Sequence, residues 1–85
     1  MELYKVSERF EINYIGEKAI IFSNDFLNVY QAGLIESMIL KSFSTPSRIS
    51  LVKEKMRAIP QFNEHEFESF INDLIIKEIL VAHEE

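Results

Sequence analysis

Two Gly and two Pro are the only strong backbone punctuation in 85 residues, and the hydrophobic period changes at one of them, Gly33. Before it the apolar residues keep a period near two. Phe10-Glu11-Ile12-Asn13-Tyr14 alternates apolar and polar, as a half-buried strand does. Ile15-Gly16-Glu17 is a turn signal, and Lys18-Ala19-Ile20-Ile21-Phe22 is rich in strand formers, so residues 10–22 read as a hairpin. Ser23-Asn24-Asp25 marks a second turn, because Asn and Asp bond their own backbone there. Phe26-Leu27-Asn28-Val29-Tyr30 then reads as a third strand.

After Gly33 the period is helical. Ile35, Met38, Ile39 and Phe43 recur at three- and four-residue spacing, one face of a first helix. Ser44-Thr45-Pro46-Ser47 interrupts it, since Pro belongs outside a helix or in its first turn. Ile49, Val52 and Met56 mark a second helix that ends at Ile59-Pro60. The third helix has the clearest start: Asn63 as N-cap, Glu66 three residues on, and Phe62 and Phe67 at the staple positions. Phe67, Phe70, Ile71 and Leu74 form its apolar stripe, which fades near Lys77-Glu78. Ile79-Leu80-Val81-Ala82 is a short apolar tail, either a last strand or a strap over the core. The order predicts an α+β, winged-helix-like fold: a three-stranded antiparallel sheet, then three helices and a short C-terminal strand. Residues 1–85 read as one domain, a length at which the margin of stability is thin.

The residue inventory excludes much chemistry. With no Cys, thiolate metal sites, disulfides and a Cys nucleophile are absent. His65 and His83 are the only histidines; neighbours Glu64 and Glu66 point in other directions on a helix, so no metal site is expected. No phosphate-binding loop, nucleophile elbow or zinc-protease motif occurs, and neither an enzyme activity nor a cofactor is expected. The N-terminus lacks the basic start and apolar core of a signal peptide. Apolar runs fall far short of the roughly 20 residues that span a bilayer. A cytoplasmic protein without membrane contact is the expectation.

Net charge is −5, unevenly spread. Arg48, Lys53, Lys55 and Arg57 against Glu54 make residues 46–60 basic, whereas residues 61–85 set Lys77 against seven carboxylates. An acidic surface repels phosphate and favours a basic peptide. The third strand would lie at a sheet edge, and no Pro or Lys blunts it. An extended peptide can add a strand to such an edge.

The strand trio, the helix through Glu36-Ser37-Met38-Ile39-Leu40, the capped second helix and Phe67-Glu68-Ser69-Phe70-Ile71-Asn72-Asp73-Leu74 running into Ile79-Leu80-Val81 carry a resemblance over roughly residues 8–82. The chain resembles the PqqD-like family, the RiPP recognition elements of ribosomal natural-product biosynthesis. Lys77-Glu78 stand where that family usually has Gly before the last strand. The resemblance implies a domain that does no chemistry itself. It binds the leader of a precursor peptide as an added strand beside the third strand, facing the third helix, and delivers it to a peptide-modifying enzyme. By that likeness Leu27, Asn28, Val29 and Tyr30 would pair with the leader. Phe67, Phe70, Ile71 and Leu74 would supply apolar surface, some of it core, and Glu66 and Asp73 would meet basic leader side chains.

Two other classes fit the element order. A winged-helix DNA-binding regulator would place the third helix in the major groove, but Glu64, Glu66, Glu68 and Asp73 there oppose phosphate, so nucleic acid is not the expected partner. A small interaction domain could use the same edge strand to form a homodimer.

Overall fold

The computed structural model describes residues 2–25 and 27–83. The elements run β1 (Leu3–Val6), β2 (Phe10–Ile15), β3 (Lys18–Ser23), β4 (Val29–Ala32), α1 (Leu34–Ser42), α2 (Ile49–Met56), α3 (Glu64–Ile76) and β5 (Leu80–His83). β2, β3 and β4 form an antiparallel sheet in chain order, and β1 pairs antiparallel with β5 in a separate ribbon. This is the expected α+β arrangement of a three-stranded sheet, three helices and a C-terminal strand, with one strand added at the front.

The hairpin follows from Gly16. A two-residue loop joins Ile15 to its partner Lys18, and its first position needs the positive φ of 59° that Gly16 adopts. Alternation then sorts the sheet into two faces. Ala19, Ile21 and Ala32 are buried against the helices, with Ile12, Phe10 and Tyr30 half-buried beside them.

The third strand of this sheet covers 29–32, not 26–30. The Asp25 carboxylate accepts from the Leu27 N–H at 3.0 Å and from the Ser23 hydroxyl, which carries the turn on to Asn28. Phe26 lies outside the described residues. Leu27 and Asn28 therefore precede the strand, and Gln31 and Ala32 extend it.

β1 is the element that local pattern did not reveal. Its four residues are all half-buried and show no alternation. Its partners are remote: Leu3 to Val6 face His83 to Leu80 on one side. On the other, Tyr4 exchanges N–H···O bonds with Ser47 at 2.8 and 2.9 Å, and Val6 N–H donates to the Phe43 carbonyl.

The helices meet over Ile39, Leu40, Phe43, Val52, Met56, Phe67, Ile71 and Leu74, closed off by Ile79 and Leu80. Met38 departs from expectation: it is exposed, and Ser37 takes the buried place, its hydroxyl donating to the Gly33 carbonyl at 2.6 Å. α3 starts as its sequence predicts. Asn63 Oδ1 accepts from the Glu66 N–H at 2.9 Å, and the Phe62 and Phe67 rings lie 5.8 Å apart. No helix among the described residues is long and apolar enough to cross a membrane.

Candidate functional site

Among the described residues β4 has a partner on one side only. Ser23 N–H donates to the Asn28 carbonyl at 3.0 Å, and the register continues through Ile21 with Tyr30 and Ala19 with Ala32. Bonded and non-bonded pairs alternate in an antiparallel ladder. Asn28, Tyr30 and Ala32 therefore turn their backbone groups toward β3, and Val29 and Gln31 turn theirs outward. Beyond them the Gly33 N–H is taken by Glu36 Oε1 at 2.9 Å, which opens α1. The free edge is thus the N–H and C=O of two residues, with no Pro, Lys or bulge to blunt it.

The helical side beside this edge is concave. A groove of about 970 Å³ runs between α1 and α3, lined by Leu34 and Ile35 on one wall and Phe70, Asp73 and Ile76 on the other. Phe62, Asn63 and Glu66 close one end, and Phe67 and Ile39 form the floor. No β4 residue lines the groove, but the strand is tied to its α3 wall. The Lys77 ammonium sits 4.6 Å from the centre of the Tyr30 ring and bonds Asp73 at 2.6 Å. Leu34, two residues past Ala32, begins the opposite wall.

The residues marked in the sequence divide accordingly. Val29 and Tyr30 lie on β4, one facing out and one toward the helices. Leu27 and Asn28 lie in the preceding loop, and the Asn28 N–H is taken by the Ser23 hydroxyl at 3.1 Å. Glu66, Phe70 and Asp73 come together on the groove wall. Phe67 is buried under it, and Ile71 and Leu74 belong to the core and line no part of it.

Leu34, Ile35, Phe62 and Ile76 are among the groove residues that sequence reasoning passed over. Ile76 carried a signal: it is apolar but off the buried stripe, and it is 79% exposed. Glu66, Phe70, Asp73 and Ile76 are spaced three and four apart, a second helical face beside the buried one.

Two of the four cations of the basic segment are engaged within the chain. Lys53 pairs with Glu68 at 3.5 Å, and Arg57 pairs with Glu54 and Glu64. The Arg57 guanidinium holds the Glu64 carboxyl below the usual carboxylate range. Among the described residues no three His, Asp or Glu side chains are grouped so as to hold a metal ion.

No protein-family model matches the chain, and no curated protein matches it in sequence. Among solved structures it is similar to TbiB1, determined in complex with the TbiA(beta) leader peptide. The two superpose with a TM-score of 0.79 at 15% identity, over 95% of this chain and 99% of the other. The fold implied by the resemblance to RiPP recognition elements is thus the one the chain adopts, shared over nearly its whole length with a protein solved holding a leader peptide.

Proposed function

We propose that this chain captures the leader segment of a ribosomally made precursor peptide and presents it to a separate modifying enzyme, without catalysing a step itself. The leader adds a strand to β4, exchanging backbone bonds with Val29 and Gln31. Alternate side chains of the leader turn to the helical side, where Leu34, Ile35, Phe70 and Ile76 offer apolar surface. Leu27 and Asn28 flank the first rung, and Tyr30, braced by Lys77, sets the distance between strand and helix. The observation that carries this reading is the free edge of β4 beside an apolar groove. The fold shared with a leader-peptide complex supports it. A DNA-binding role is disfavoured because Lys53 on α2 and Arg57 just past it are engaged with carboxylates of α3.

Titrating the protein with leader peptides encoded beside its gene, followed by backbone-amide NMR, tests the reading. Shifts should centre on residues 29–34 and on the α3 face from Glu66 to Lys77. Val29→Pro supplies the control. The Val29 N–H points away from β3, so Pro deletes an edge donor without cutting the β3–β4 ladder. The variant should keep its helical circular dichroism and lose peptide binding; normal binding by a folded variant would rule out strand addition here.

A further inference from the structure

Resting on that reading, we infer that the groove selects leaders by charge: a Lys or Arg on a groove-facing position, paired with Glu66. The groove carries three carboxylates, Glu36, Glu66 and Asp73, and no cation among its lining residues. Two of the three are committed. Glu36 Oε1 accepts the Gly33 N–H, and Asp73 is neutralised by Lys77. The Glu66 carboxylate alone has no partner among the described residues, although its own N–H is capped by Asn63. It sits at the third position of α3, where the helix terminus favours negative charge.

The placement makes this a specificity element and not a general acidic surface. Glu66 and Asp73 lie seven residues apart, about 10 Å along the helix. An extended peptide covers that distance in about three residues. The apolar positions, Phe70 and Ile76, interleave with the two carboxylates. A leader strand held by Val29 and Gln31 near the Asp73–Lys77 end therefore passes apolar surface before it reaches the open charge of Glu66. The occupant that complements this order has apolar side chains at alternate positions near the paired rungs and a cation two or four positions further on. A leader with Asp or Glu there meets like charge beside low-dielectric walls.

The test is a displayed library of random 12-residue peptides, selected on the whole chain and on three variants, with binding then measured by fluorescence anisotropy. Peptides selected on the native chain should carry Lys or Arg at one alternate-register position. Replacing that cation with Gln should weaken binding about two- to five-fold, the range of a partly exposed ion pair, and less at high salt. Glu66→Gln should bind the same peptides but no longer distinguish Lys from Gln. Glu66→Lys should select Asp or Glu there instead. Val29→Pro should select nothing that the native chain selects. Peptides that depend on Val29 but show no basic preference, or a preference that survives Glu66→Gln, overturn charge selection and leave strand capture standing. Selected peptides that bind Val29→Pro equally well, or no selected peptides at all, overturn both.

Discussion

Glu78 adopts φ 61°, in the left-handed region, and it is the one non-glycine residue there among those described. It stands just past α3, where the chain must reverse into β5. The Glu78 N–H donates to the Ile75 carbonyl and the Ile79 N–H to that of Leu74, so a full Schellman cap forms around a residue with a Cβ. That conformation costs an L-residue about 1–2 kcal/mol. The Arg9–Glu78 pair at 3.4 Å returns little, because both side chains are more than two-thirds exposed. Glu78→Gly should therefore stabilise the fold by about 0.5–1 kcal/mol, after the extra freedom of Gly in the unfolded chain is deducted. Urea unfolding measures this, and an unchanged or lower midpoint would mean the cap is unstrained. Asp25 gives a pH-dependent counterpart. The Ser23 hydroxyl, then the Leu27 N–H, hold its carboxyl below the ordinary 3.8. A depressed folded pKa stabilises above the unfolded value, and that contribution is lost as pH falls through the folded one. The Leu27 amide resonance should titrate with a midpoint below 3.8, loosening the loop before β4 in acid; a midpoint at or above it would contradict the hydrogen-bond geometry.

α3 serves two neighbours from one cylinder. Phe67, Ile71 and Leu74 face the core, and Glu66, Phe70, Asp73 and Ile76 face the groove. The two faces should separate by mutation. Leu74→Ala removes a side chain only 2% exposed and should cost about 2–5 kcal/mol. Ile76→Ser should change stability by no more than about 0.5 kcal/mol, yet, on the function proposed above, weaken capture of a leader peptide. Calorimetry and a peptide titration on the pair would show whether the faces are independent; equal destabilisation by both would deny that Ile76 is a surface residue. Only part of this was legible in the sequence. The periodicity of Phe67, Phe70, Ile71 and Leu74 announces a stripe, but a stripe does not say where core ends and groove begins. Phe70 lies on that boundary, half-buried. The helix start was legible to the residue, because Asn63, Glu66 and the Phe62–Phe67 staple are local chemistry. β4 was misplaced by three residues because the strand-forming character of Phe26 to Tyr30 competes with a side-chain-bonded turn at Asp25, and the turn prevails.

At the scale of the molecule, what local pattern could not show is the pairing of the two ends. β1 has no alternation to read, and its partners are nearly the whole chain away in β5 and about half the chain away in the loop after α1. The sheet, the helices and their order needed only neighbours in sequence; the ribbon needed the finished fold. Tyr4 and Val6 give their N–H groups to that loop, so Leu3 and Lys5 give theirs to β5. Lys5→Pro should delete one rung of the ribbon and cost about 1–3 kcal/mol in urea unfolding, while the groove keeps its shape in the folded fraction. A variant as stable as the native chain would mean that the ribbon is ornamental. The ribbon also sets how the molecule answers to tension. Leu3 lies opposite His83 in an antiparallel ladder, so a pull on the two ends loads that rung first and then each of its neighbours in turn, like a zipper and not like a lap joint. The ribbon should open at low force from that rung, while β4, in a different sheet, holds its ladder to β3 until the ribbon is gone.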